Sequence, residues 1–307
     1  MRPRADDGPL LTGLLIAVGV LGISLSAPIA AATAAPAIAV AFWRNAMATA
    51  VGAPYTLARH PAELVRGRGR AAVRPSLVAG VALAVHFAFW IPSLRLTSVT
   101  AATALVCTTP VFLVVYDRVR GTHVPRPVVA GVALSFAGVL VITGVDAGTS
   151  GTALLGDLMA LAGGAAAAAY MVAGAAARET VSTASYTLVA YGSCAVLLGI
   201  ACLVFGVQLG GYSTRTWVEL VVLTLAAQLL GHTVLNRALK TAGTTTVGLA
   251  ILLEVPGAAL VAWVYLGQVP PLAVFPGAAL VIAGLALVVR ARATSRRRSD
   301  DALLGAQ

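Results

Sequence analysis

Glu254 stands alone in an apolar stretch from Thr245 to Leu266, within the segment GLAILLEVPGAAL at 248–260. A carboxylate at membrane depth costs about 2.5–3.5 kcal/mol on insertion scales, so such a group is a functional candidate by default. Burial penalises its charged form, which suits it to taking up and releasing a proton. Arg44, in AFWRNAMATA at 41–50, is the cationic counterpart. At ~1.5 Å per residue Glu254 lies about 13 Å from the inner face and Arg44 about 10 Å from the outer one. A guanidinium can bridge that difference and pair with the carboxylate, or it can fork onto a substrate carboxylate or phosphate. Gln228, His232 and Asn236 recur at i, i+4 and i+8, along one face of one helix. That stripe reads either as the wall of a hydrated cavity or as an interhelical hydrogen-bond seam. His86 and Trp90, one turn apart, can flank a ligand or pack. With Arg44 and Glu254, these residues form the candidate substrate-binding set. Pro110 and Pro256 each remove a backbone donor inside an apolar run, so bends at those points are the candidate hinges.

The elements that hold these groups are apolar runs long enough to span a bilayer. Only 10% of the 307 residues are charged and 59% are hydrophobic, with a mean hydropathy of +0.92. A spanning helix needs roughly 20 mainly apolar residues. Runs near 9–30, 37–57, 76–94, 99–116, 127–145, 154–176, 185–207, 217–236, 245–266 and 272–290 meet that need. The expected class is an all-α integral membrane protein with ten transmembrane helices. Strands are excluded because the runs are too long and lack period-two alternation.

Charge placement tests this scheme. With both ends cytoplasmic, the inner segments hold 18 of the 21 basic residues, the outer side keeps Arg95 and Arg215, and Arg44 lies within a helix. This is the positive-inside pattern of a multi-pass inner (plasma) membrane protein. The net charge of +10 therefore points to anionic lipid as a partner. The basic run VRGRGRAAVR at 65–74 has no interleaved aromatics, so nucleic acid is not the expected partner. Cys107, Cys194 and Cys202 lie inside helices without metal-ligand spacing, so neither a metal nor another cofactor is expected and their role is packing. Asp6 and Asp7 ahead of the first run argue against a cleaved leader.

Shifting the chain by 146 residues lays 97–142 over 243–288, matching Pro110 with Pro256, Gly121 with Gly267, Pro125 with Pro271, Gly131 with Gly277 and Gly138 with Gly284. Glycine and proline mark backbone constraints, so their shared register carries more weight than alanine matches. The chain divides into a first five-helix repeat (1–145), a linker (146–153), a second repeat (154–290) and a cytoplasmic tail (291–307). Because five is odd, the repeats enter the membrane from opposite faces, the inverted arrangement of many secondary transporters. Small residues in LAGGAAAAAYMVAGAAA at 161–177 allow close helix packing.

The segments AFWRNAMATA (41–50), HFAFWIPSLRLTSVTAATALVCTTPVF (86–112), QLLGHTVLNRALK (228–240) and LLEVPGAALVAWVYLGQVPP (252–271) resemble EamA-type members of the drug/metabolite transporter superfamily. The resemblance implies a ten-helix inner-membrane carrier with both termini cytoplasmic, commonly an exporter of amino acids or other small metabolites. The chain departs from many relatives at Glu254-Val255-Pro256, where they carry Glu-Pro, and at Gly267-Gln268, where they carry Gly-Glu. It also has no carboxylate between Pro9 and Ala30, where small four-helix multidrug relatives carry one. The expected function is secondary export of a small polar metabolite such as an amino acid, by alternating access. No P-loop is present, so ATP-driven transport by this chain is not expected. The alternatives are an integral-membrane enzyme or flippase acting on a lipid-linked substrate, and a membrane scaffold or sensor. Acidic residues are dispersed rather than clustered, which argues against an enzyme. The sequence leaves room for a homodimer.

Overall fold

A computed structural model describes residues 8–65, 67–143, 151–269 and 272, and within 275–291 all but 278, 285 and 289. All regular structure among them is helical: α1 (Pro9–Ser24), α2 (Ser26–Ala32), α3 (Ala37–Arg59), α4 (Gly67–Ser93), α5 (Val99–Val106), α6 (Thr109–Val119), α7 (Arg126–Thr143), α8 (Gly151–Arg178), α9 (Thr183–Val204), α10 (Thr214–Leu223), a π-helical segment π1 (Thr224–Thr233), α11 (Val234–Ile251) and α12 (Glu254–Leu266). The apolar helix α13 (Phe275–Val288) follows. Among the described residues, seven helices are long and apolar enough to cross a membrane. α3 has the length, with 23 residues, but Arg44 and Asn45 dilute its hydropathy. Outward-facing side chains such as Leu10, Leu203, Phe205 and Val264 are apolar and exposed, the surface a lipid solvent requires.

Three expected spans are broken, each by the same cause. The first breaks at Leu25, three residues before Pro28; the fourth at Cys107–Thr108, before Pro110; the ninth at Leu252–Leu253, before Pro256. A proline ring clashes with the carbonyl four residues back and supplies no N–H. It is tolerated in the first turn of a new helix, and there all three lie. Pro110 and Pro256 are thus first-turn residues of α6 and α12, not mid-helix ones, and the interruption precedes each. α8 begins at Gly151, inside the segment assigned to the linker. Residues 144–150 and 292–307, most of the assigned linker and tail, lie outside the described residues.

The 146-residue register reappears in space. The N-cap positions of α3 and α9 are Pro36 and Ser182, 146 apart. α7 and α13 cross antiparallel on glycine. A Cβ on Gly131 would stand 2.7 Å from the Gly284 carbonyl oxygen, and one on Gly138 would stand 2.5 Å from that of Gly277. Exchanging the repeats turns the first contact into the second. Ser135 Oγ donates to the Val281 carbonyl at 3.3 Å, a pair itself 146 residues apart. A contact between equivalent residues is what a two-fold axis between the repeats produces. α8 lies against α4 and α5 through its small residues: Gly163 faces Trp90, and Gly164 faces the Val106 carbonyl.

Candidate transport site

Arg44 is the hub. Its Nε donates to Gln228 Oε1 at 2.9 Å, its Nη1 donates to Ser26 Oγ at 3.0 Å, and its Cζ lies 4.3 Å from the centre of the Phe87 ring. Gln228 Nε2 donates to Asn45 Oδ1 at 3.0 Å, and Asn45 Nδ2 donates to the Ala41 carbonyl at 2.8 Å. Arg44, Asn45 and Gln228 are all fully buried. The ten-residue π1 presents Gln228 to this cluster. Thr233 Oγ1 donates to the Gln228 carbonyl five residues back at 3.0 Å, which relieves the widened turn. α1 presses on π1 at Gly22, where a Cβ would meet the Ala226 carbonyl oxygen at 2.6 Å. π segments concentrate at functional sites.

His86 and Trp90 extend the cluster along α4. Their rings stack with centroids 5.5 Å apart, and His86 Nδ1 donates to the Gly163 carbonyl at 3.0 Å. Phe87 packs on His86 at 4.7 Å and meets His232 edge-on at 6.0 Å. Lower down, Asn236 Nδ2 donates to the hydroxyls of Tyr170 and, at 3.3 Å, of Tyr191. The Tyr191 and Thr233 hydroxyls are bonded at 3.1 Å. Gln228 and Asn236 thus make the interhelical seam that their spacing allowed, with His232 between them.

Tyr191 and Thr233 also floor a cavity of about 730 Å³ whose wall includes Thr49, Thr56, Thr183 and Thr187, with Arg178 and Arg237 also on it. At its rim Glu63 ties α3 to α9. It accepts the Ser182 backbone N–H at 2.9 Å and both the Ser182 and Ser185 hydroxyls, with His60 Nδ1 at 3.7 Å. Partial burial pushes the Glu63 carboxyl up, but the hydrogen bonds from Ser182 and Ser185 outweigh it and hold the group below the usual carboxylate range.

Arg44 and Glu254 are both buried but do not form an ion pair. No carboxylate of a described residue lies within 4.0 Å of Arg44. Glu254 opens α12 beside the second break, where Cys107 Sγ points at its Oε2 from 3.9 Å. Cys107 is adjacent to Thr108, the repeat counterpart of Glu254, so this contact too joins nearly equivalent positions of the two repeats. The structure therefore gathers Arg44, His86, Trp90, Gln228 and His232 into one cluster, joins Asn236 to it through Thr233, and sets Glu254 apart. Ser26, Asn45, Phe87, Tyr170, Tyr191 and Cys107 were not anticipated. Asn45 had a signal, a second polar residue beside Arg44; the rest are ordinary components of apolar helices.

A multi-pass helical bundle with a buried polar hub beside a hydroxyl-lined cavity is an architecture suited to a membrane transporter. The chain belongs to the EamA-like transporter family, which matches it over residues 10–144 and 154–290, one match per repeat. It is 29% identical over 222 residues to an uncharacterized transporter of Archaeoglobus fulgidus, covering 69% of this chain and 74% of that protein. A solved crystal structure is similar in fold, with a TM-score of 0.73 at 20% identity, over 93% of this chain and 98% of the other.

Proposed function

We propose that the protein is a secondary exporter of a small polar metabolite such as an amino acid, working by alternating access of two inverted five-helix repeats. Ten spans with both termini cytoplasmic, in the cell membrane, complete this reading. In that topology the cavity opens to the cytoplasm, since it reaches His60 and Arg178 at the C-terminal ends of α3 and α8, and Arg237 ahead of the kink at Gly243 within α11. The observation that carries the reading is the reciprocal contact of α7 with α13, Gly131 with Gly284, Gly138 with Gly277 and Ser135 with Val281, which supports a two-fold axis between the repeats. Two halves related by such an axis, one side open and the other shut, interconvert by exchanging their conformations. The breaks before Pro110 and Pro256 sit at corresponding positions near that axis and supply places for the spans to flex. Glu254 is the proton-coupling group, and Arg44, with the aromatic pair His86 and Trp90, faces the solute.

Counterflow in proteoliposomes, with labelled amino acids and nucleosides, tests the reading. Accumulation driven by a trapped unlabelled solute is expected; turnover of a lipid-linked substrate without counterflow would replace the carrier with an enzyme. Glu254→Gln is expected to flatten the pH dependence of exchange, and an unchanged profile would leave the carboxylate a structural role. Accessibility mapping that placed the loop near Arg68 and the chain after Arg290 on opposite sides would overturn the topology.

A further inference from the structure

Donors outnumber acceptors around Arg44. Its Nε and Nη1 are engaged, but its buried Nη2 has no acceptor among the described residues, and neither has the Trp90 indole Nε1. Trp90 is 2% exposed and Arg44 is 0% exposed. Gln228 Oε1 accepts from Arg44 Nε but makes no hydrogen bond to Nη2, and its amide serves Asn45. Trp90 packs 6.3 Å from Phe87, the ring beneath the guanidinium, so the two spare donors belong to one cluster. Glu254 acts on Arg44 only through space, from beyond 4.0 Å; water would complete the two hydrogen bonds without adding charge, whereas an anionic oxygen group would complete them and pair the cation directly.

The approach has the same sign. Arg178 and Arg237 line the cavity, the rest of its polar wall is hydroxyl, imidazole and backbone, and no carboxylate of a described residue lines it. Glu63 lies behind the rim, engaged by Ser182, Ser185 and His60. The cavity floor at Ala48 is one helical turn from Arg44 on α3. Arg44 lies beyond that floor, so a solute entering there approaches a buried cation, whose field favours anions over cations.

Resting on the carrier reading, we infer that the transported solute presents a carboxylate, phosphate or sulfonate to Arg44 Nη2, with Trp90 Nε1 as the second donor. Cationic solutes are excluded. The inference is tested on the purified full chain by collisional quenching of tryptophan fluorescence at constant ionic strength, the Trp90 component being the difference between the unsubstituted chain and Trp90→Phe. With each ion's quenching normalised to that of N-acetyltryptophanamide in the same buffer, iodide is expected to quench this component at least roughly threefold more than caesium. The preference is expected to fall to near one in Arg44→Gln and to persist in Arg44→Lys. Equal quenching by the two ions, no quenching by either, or an iodide preference surviving Arg44→Gln would overturn it. Should Arg44→Gln not fold, competition in the unsubstituted chain decides. At least one of acetate, inorganic phosphate and methanesulfonate is expected to protect Trp90 from iodide while tetramethylammonium does not. Protection by none of the three anions, or equal protection by the cation, would refute the site. Sign-selective quenching without counterflow of any solute would sink the carrier and leave the anion site standing. Counterflow of a cation, with quenching indifferent to Arg44, would do the reverse.

Discussion

Helices α3 and α9 occupy equivalent places 146 residues apart, yet the cavity takes opposite halves of their equivalent faces, although its lining Thr56, Thr187 and Tyr191 are themselves only 2%, 8% and 2% exposed. Thr49, Gly52 and Thr56 of α3 line the cavity; their counterparts Ala195, Leu198 and Cys202 of α9 are buried at 7%, 2% and 0% exposure. Thr183, Thr187 and Tyr191 of α9 line it too, whereas their counterparts Ala41 and Asn45 are fully buried and Ala37 is half-buried. The open side is hydroxyl-rich and the shut side is largely apolar. The shut side is closed by rings: a Cβ on Gly199 would lie 3.1 Å from Phe42, and Trp43 meets Trp217 edge-on at 5.0 Å. Openness therefore belongs to how the halves dock, and side-chain chemistry is fitted to each side. Apolar packing can seal and part with no polar group left stranded, while hydroxyls suit a wall that stays wet.

The most drastic way to break this comparison is at the axis itself. Gly284→Leu drives a side chain into Ser135 Oγ at 2.2 Å and the Gly131 carbonyl oxygen at 2.4 Å. Backbone cannot yield as a side chain can, so a loss of about 3 kcal/mol is expected, read as a collapse of the monodisperse peak in size-exclusion chromatography. Gly13→Leu, where nothing lies within 4 Å, is the neutral control.

Ala195→Thr puts the hydroxyl of Thr49 into the shut half. Overpacking there is expected to weaken outer closure by about 1.4 kcal/mol, tenfold in the open population, seen as tenfold faster modification of Cys202 by an impermeant thiol reagent from outside. Thr49→Ala, on the face already open, is expected to change that rate less than about twofold. Similar rates in the two variants would dissolve the distinction between the faces.

Each side also has a tie between α3 and α9, and the ties differ in kind. Glu63 binds the start of α9 on one side. Its counterpart 146 residues on, Leu209, accepts Trp43 Nε1 through its carbonyl at 2.9 Å on the other. Glu63→Gln is expected to cost about 1 kcal/mol in thermal unfolding at neutral pH, since charge-assisted bonds are replaced by neutral ones. Because the folded carboxyl titrates below its usual range, its contribution is present above the unfolded pKa and disappears as pH falls through the folded one. The difference between Glu63→Gln and the unsubstituted chain should accordingly shrink on acidification below about pH 4. Trp43→Phe keeps the ring contacts and loses one neutral bond, so the smallest effect, about 0.5 kcal/mol, is expected there.

Much was legible in the chain itself. Length and apolar character fix helices in a lipid solvent, where every backbone group must be satisfied internally. Glycine and proline carry the 146-residue register and pointed to the breaks at Pro110 and Pro256, but not to the one before Pro28, while Pro54, Pro75 and Pro92 lie inside unbroken helices. Gln228, Asn236 and Arg44 announced themselves because a polar group at that depth needs a partner. Tertiary structure alone decided which partner: Arg44 turned to Gln228, Ser26 and Phe87 rather than to Glu254, and π1 set the angle from which Gln228 meets it. It also decided which of two equivalent faces became a cavity. Depth along a helix follows from counting residues, but azimuth and docking are set by contacts between helices far apart in the chain, and those no local pattern encodes.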